Sequence, residues 1–393
     1  MEATERLHYM DNLRALTMLA GVFFHAALAY SPFLHNVWLS SDQVMHPAFD
    51  WFANFLHAFR MPLFFMIAGF FAALLAERRG MTALFKNRAR RVLLPFVVFW
   101  PLITVAIVFP IGWALENVQH LSPILQFVKG MQNVPDAPQP PPSTYHLWFL
   151  YYLVIFYILL WVARTLLPTE LKQKIADLPP VLAILILPLC IAPAFIFGFV
   201  PYPAPESFMP QIWALIFFGG FFAYGYVLFF SAKHIQYFAN AAGWLILASV
   251  LLFIPFQYFY PAAASFEPAN PPWFNRIVMV LCLVYIAVFM SVASLVLAKK
   301  YLSGQNKVMR FFADASYWIY LAHLPVLLLI QYYLLDVSGS AFYEFTLSSL
   351  LTLIFCVATY VVFVRWTPIG WMLNGRKNSK PEVPHSASAI QAG

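Results

Sequence analysis

The chain has 393 residues, of which 62% are hydrophobic, 19% aromatic and only 10% charged. Its mean hydropathy is +0.74, whereas a soluble domain carries about 25% charged residues, so the composition excludes a soluble globular protein and predicts an all-α polytopic membrane protein. The net charge of +7 lies in short loops between apolar stretches, which reads as topology determination and argues against a nucleic-acid partner.

Ten apolar stretches are predicted to form transmembrane helices: 13–33, 51–76, 92–115, 146–167, 181–200, 211–230, 241–260, 275–298, 312–335 and 345–365. They make one domain over 1–373, followed by a polar tail over 374–393 expected to be disordered and cytoplasmic. No secretory leader is expected, because the first stretch lacks a convincing small-residue cleavage site and carries an arginine. That arginine, Arg14, stands eleven positions before His25. On a helix this is three turns plus about 20°, so both residues lie on one face, about 16 Å apart along the axis. Arg14 then falls near the inner edge of a ~30 Å hydrocarbon layer and His25 near its middle, where an ionisable group marks function.

The second stretch carries His57, Arg60 and Pro62. It enters from the outer side near Trp51, which sets Arg60 about 14 Å deep with His57 on the same face and nearer the outside. The next loop holds Arg78, Arg79, Lys86, Arg88, Arg90 and Arg91, six cations within fourteen residues. It reads either as positive-inside charge with anionic-lipid contacts or as a phosphate-binding mouth. An outer loop, 116–145, contains the Pro-rich run 132–143, a stiff connector or a lid. His146 and Trp148 open the fourth stretch at the outer interface, where His146 is expected near water. The ninth stretch carries Ser316, Tyr320, His323 and Pro325. It enters from the inner side, so His323 lies about 16 Å deep.

His25, Arg60 and His323 thus reach similar depth on three helices, which favours a polar cavity over three isolated packing residues. Pro62 and Pro325 each free the carbonyl four residues earlier, those of Ala58 and Leu321, and these need other partners. Cys190, Cys282 and Cys356 are scattered and read as small core residues without metal or disulfide spacing. With the N-terminus inside, the inner segments hold nearly all the cations, including Lys172, Lys174, Lys233, Lys299, Lys300, Lys307, Arg310 and the tail's Arg376, Lys377 and Lys380. The outer loops hold only Lys129, with Arg276 at a stretch edge. This predicts both termini cytoplasmic. Trp38, Trp51, Trp113, Trp148 and Trp273 fall at outer ends, and Trp161, Trp244 and Trp366 at inner ones, as an aromatic belt. The absence of an internal repeat weighs against a transporter.

The Arg14–x10–His25 pattern resembles the signature of the acyltransferase 3 family. His57-Ala-Phe-Arg60-Met-Pro62, Ile-Ala-Gly69-Phe-Phe, Arg88-Ala-Arg90-Arg91 before Pro95, His146-Leu-Trp148 and Ser316…Tyr320-Leu-Ala-His323-x-Pro325 follow in the family's order. One departure is Ala68, where the family often has Ser before the glycine. The resemblance implies ten helices in a bacterial inner membrane, an acyl-CoA co-substrate (succinyl-CoA or acetyl-CoA) entering from the cytoplasm, and no permanently bound cofactor. It implies that the donor meets Arg14, Arg88, Arg90, Arg91 and Ser316, and that His25, Arg14, Arg60 and His323 serve the chemistry. It implies an acceptor glycan outside, for which His57, His146 and Trp148 are the candidate contacts, with a role at the outer interface as the equal alternative for His146. Family members that modify periplasmic glucans imply succinyl transfer to such a glucan, alongside glucan-synthesis proteins.

The residues fit this chemistry. A neutral imidazole at His25 can take a proton from a sugar hydroxyl, and Arg60 or His323 can face the developing oxyanion. O-acetylation of lipopolysaccharide or exopolysaccharide, and a secondary transporter or a scaffold without chemistry, stay open at this point.

Overall fold

Long apolar runs can satisfy their backbone polar groups in a membrane only as helices. The computed structural model describes residues 7–375 apart from 133, 136–140, 167–176, 197–199, 265–272, 305 and 336–338. Its helices are α1 His8–Leu28, α2 Pro47–Arg88, α3 Leu94–Asn117, α4 Pro123–Met131, α5 Trp148–Leu166, α6 Pro180–Ile191 and α7 Ile212–Phe230. They continue with α8 Ala232–Tyr237, α9 Ala242–Ala264, α10 Trp273–Tyr301, α11 Lys307–Leu334, α12 Ala341–Thr359 and α13 Pro368–Asn374. Among the described residues there is no sheet, only an isolated bridge between Ser143 and Ser207. The protein is an all-α polytopic membrane protein.

Each of the ten predicted stretches overlaps a helix, but α1 starts and ends five residues before 13–33, and α6 ends at Ile191 within 181–200. Among the described residues seven helical runs are long and apolar enough to cross a membrane. One of them, Pro47–Asn117, holds both the second and third stretches, because the chain bends at Gly80 (φ 80°) and passes a π-turn at Ala89–Leu93. The outer loop 116–145 is not all connector, since α4 lies within it. The lid reading of 132–143 falls partly, and Lys172, Lys174 and the tail from 376 wholly, outside the described residues.

α1 is central, packed against α2, α10, α11 and α12. α2 runs along α7 at very short range. A Cβ on Gly69 would meet the carbonyl oxygen of Phe222 at 1.9 Å, and one on Gly225 that of Met66 at 1.9 Å. Two glycines facing each other's backbone let the helices approach closely, the usual device where lipid supplies no hydrophobic drive.

Three sequence expectations need correction. Cys190 is exposed on α6 rather than core, while Cys282 and Cys356 are buried. Trp148 is 6% exposed, because α5 crosses α2 and α7 there and the indole packs on Phe65 and Phe218. Trp38 leaves the belt altogether and enters the site described next. Trp51, Trp161, Trp244, Trp273 and Trp366 are exposed, as a belt requires.

Candidate active site

The α1 face predicted from Arg14 and His25 carries a cavity at one end and the histidines at the other. At the cationic end Arg14, Arg78, Arg79, Arg88 and Arg91 surround a cavity of ≈ 550 Å³ with Asp11 and Asp314 at its rim. Its other walls are apolar: Met18 of α1, Phe64 and Ile67 of α2, Phe149, Leu150 and Leu153 of α5. Ser316 and Tyr317 of α11 and Asn374 of α13 complete it. Arg14 lies 3.6 Å from Asp11, with its side chain 37% exposed. The Arg88 guanidinium sits over the Tyr157 ring at 5.1 Å. Arg90 does not line the cavity, because Arg88 and Arg91, three residues apart, share a face that Arg90 leaves. Ser316 lines it with its hydroxyl donated to Ala313 O at 3.1 Å, so its donor is already used within α11.

Two turns above Met18, roughly 10 Å along α1, four imidazoles converge. His25 Nδ1 and His323 Nε2 are 2.9 Å apart, with the rings stacked at 5.1 Å. His323 Nδ1 lies 2.7 Å from Tyr320 O. A carbonyl only accepts, so that nitrogen carries the hydrogen; His323 Nε2 then accepts, and the shared hydrogen sits on His25 Nδ1. The network therefore leaves His25 Nε2 as an open lone pair. It also leaves His323 without a spare donor, which removes it as the expected oxyanion partner.

His146 is buried, not at the outer interface as the sequence predicts. Its Nε2 donates to Leu321 O at 3.2 Å, the carbonyl freed by Pro325, and its ring meets His323 at 5.2 Å. The physical reason is the turn before it. Glu206 holds Ser143 and Thr144, Tyr145 takes φ 47°, and α5 begins inside the bundle rather than at its edge. Tyr320 Oη donates to His146 O at 2.7 Å.

His57 donates from Nε2 to Tyr202 O at 3.0 Å and stacks on Phe24 at 5.4 Å. The Arg60 guanidinium lies against the same ring at 4.8 Å and fills the space left by Gly21, where a Cβ would meet its Nη1 at 2.8 Å. Among the described residues Arg60 Nε, His57 Nδ1 and His146 Nδ1 are buried without a hydrogen-bond partner.

Sequence reasoning missed Trp38 and Gln331. Trp38 stacks on His25 at 5.4 Å and 5°, opposite to nothing local in sequence: its indole donates to Gln331 Oε1 at 3.3 Å, and Gln331 Nε2 donates to Ala26 O at 3.1 Å. The signal for Gln331 was available, since an amide two turns beyond His323 in an apolar stretch needs a polar partner.

The structure thus unites His25, His323, His146, His57 and Arg60, gathers Arg14, Arg88, Arg91 and Ser316 at the cavity, and sets Arg90 and Trp148 apart. Residues 7–361 match the family described as the acyltransferase domain. The chain belongs to the acyltransferase 3 family. It is 26% identical over 403 residues to the protein named glucans biosynthesis protein C of Escherichia coli O139:H28 (strain E24377A / ETEC), covering 96% of this chain and 97% of that protein. It is 25% identical over 392 residues to the protein of the same name from Salmonella heidelberg (strain SL476), with 96% and 97% covered. No solved structure matches it. As a member of the acyltransferase 3 family, the chain is a membrane acyltransferase.

Proposed function

We propose that this acyltransferase moves an acyl group, succinyl in the first instance, from acyl-CoA to a hydroxyl of a periplasmic glucan across the bacterial inner membrane. The observation that carries the reading is the open Nε2 of His25, held above an arginine-ringed cavity. The arginines suit the phosphates of coenzyme A, and the apolar walls suit its thioester arm. A sugar hydroxyl gives its proton to His25 Nε2 as its oxygen attacks the thioester carbonyl carbon. The oxyanion faces Arg60, whose buried Nε lacks a hydrogen-bond partner. Collapse breaks the C–S bond, and the departing thiolate takes the proton back from His25. His323 is a positioning residue that fixes the His25 tautomer.

The glucan acceptor rests on the name shared by the relatives. His57 and His146 line the acceptor side in this reading, whereas Trp148, packed in the core, is better read as structural.

The test is free-thiol release by purified protein given succinyl-CoA with and without glucan. Release should require acceptor, and His25→Ala should lower transfer at least ~10²-fold while coenzyme A still binds. Near-normal transfer by His25→Ala would remove the base; uptake or release of solutes without acyl-CoA consumption would favour a transporter instead.

A further inference from the structure

On α2 and α5 the cationic cavity stops one helical turn short of the polar centre, and aromatic rings stand at its end there. On α2 Phe64 follows Arg60 by four residues, on α5 Phe149 follows His146 by three, and on α11 Tyr320 precedes His323 by three. α2 and α5 run toward the cationic end and α11 runs away from it, so each ring lies one turn on the cationic side of its polar neighbour. Phe64 and Phe149 meet edge to face with centroids 4.5 Å apart, and Phe149 and Tyr320 lie 6.3 Å apart. Both phenylalanines line the cavity, whereas Arg60, His146 and His323 do not.

We propose that Phe64, Phe149 and Tyr320 form a collar that decides which nucleophile receives the acyl group, admitting the donor's thioester to His25 while excluding water. The proposal rests on the acyl-transfer reading above. A base that activates a sugar hydroxyl also activates water. In that side reaction a water oxygen bonds to the carbonyl carbon and His25 takes the proton. The C–S bond then breaks and the thiolate is protonated, giving free acid and free thiol. The cavity beneath is lined by five arginines and two aspartates, groups that attract water, so the barrier must lie above it. Phenylalanine edges offer water no hydrogen bond, and the Tyr320 hydroxyl is committed to His146 O at 2.7 Å. The collar therefore offers water no free donor between the arginines and His25, only the Tyr320 oxygen as an acceptor.

The experiment follows thiol release from saturating succinyl-CoA by purified protein in detergent, without glucan. Phe149→Ala opens the collar; Phe149→Leu and Phe64→Leu remove the edge-to-face contact at little loss of volume and serve if the alanine variant does not fold. Acceptor-independent release should rise roughly tenfold over wild type in Phe149→Ala and less in the leucine variants. Adding His25→Ala to Phe149→Ala should return it to the wild-type level, because the hydrolysis uses the same base. Collar variants that still release thiol only when glucan is present, or that release less under both conditions, overturn the collar and leave acyl transfer standing. A wild-type protein that consumes no acyl-CoA with or without glucan overturns the acyl-transfer reading, and the collar with it.

Discussion

Arg60 brings a permanent charge into an apolar bundle, with the Phe24 ring beneath it and its Nε without a hydrogen-bond partner. Burying an unpaired charge costs several kcal/mol, and in the proposed function an anion brought by the ligand offsets it. A succinyl donor offers two: the developing oxyanion and the distal carboxylate. If Arg60 holds the carboxylate by its fork, Arg60→Gln will depress succinyl transfer far more than acetyl transfer; equal losses would assign it to the oxyanion alone. A wild-type preference for acetyl-CoA would sink the succinyl reading. Glu206 works at the far end of the same residue set. Ser143 Oγ donates to its carboxylate at 2.9 Å, and its backbone oxygen accepts from Thr144 N and Oγ1, each at 2.8 Å. That clamp holds Tyr145 at a positive φ, a strained conformation for tyrosine, and so aims His146 inward. Burial pushes the Glu206 carboxyl above its ordinary range, against a smaller opposing effect of the Ser143 hydrogen bond. A raised folded value means the fold favours the protonated form. The contribution is full below the unfolded carboxyl range and is lost as pH rises through the raised value. Thermal midpoints should therefore decline over that window in wild type, and Glu206→Gln should remove that part of the slope; an unchanged slope in the variant would refute the clamp's titration.

At the scale of elements, the α2–α7 crossing depends on Gly69 and Gly225. A Cβ at Gly69 would lie 1.9 Å from the Phe222 carbonyl oxygen, a contact with backbone that no rotamer relieves. Gly69→Ala should destabilise by about 1–3 kcal/mol or more through overpacking; a wild-type thermal midpoint in detergent would show that the helices are not so close. Gly69 stood in a motif quoted from the sequence, yet nothing local said why, because its neighbour lies on α7. The same limit explains the other misses. The Arg14–His25 face was legible, since helical period and rise are local properties. So was the fate of the Leu321 carbonyl, as a need for a partner, though not that His146 would supply it. Trp38 was not legible, because its position over His25 depends on how residues 29–46 fold back. There Asp42 N and His46 N bond to Ala29 O and Tyr30 O, and Ser31 bonds to Asp50. Depth counted from hydropathy edges failed for His146 for the same reason: a loop clamp sets where α5 begins.

The whole molecule is polarised. The arginine-ringed cavity opens among the end of α2, the π-turn after it, the start of α1 and α13, while Trp38, Tyr202 and Glu206 stand beyond the histidines at the opposite end. In the proposed function the cationic end faces the cytoplasm, as the charge asymmetry of the sequence predicts. The donor's phosphates should therefore be recognised there, and the acceptor should approach from the other side. Arg14 and Arg91 line one cavity from two different elements, α1 and the π-turn, so both should contribute to phosphate recognition. Arg90, which leaves that face, should contribute little. Coenzyme A should bind wild type more tightly than pantetheine, which lacks the phosphates. Arg88→Gln and Arg91→Gln should narrow that difference, and Arg90→Gln should leave it nearly unchanged. Rising salt should weaken coenzyme A binding through the exposed Arg91 more than through the half-buried Arg88, since screening acts most on solvent-exposed charges. Calorimetry of both ligands against these variants checks the set. Equal affinity for coenzyme A and pantetheine in wild type would show that the cavity does not read phosphate, and an Arg90→Gln loss as large as that of Arg91→Gln would show that the arginine face drawn from the π-turn is wrong.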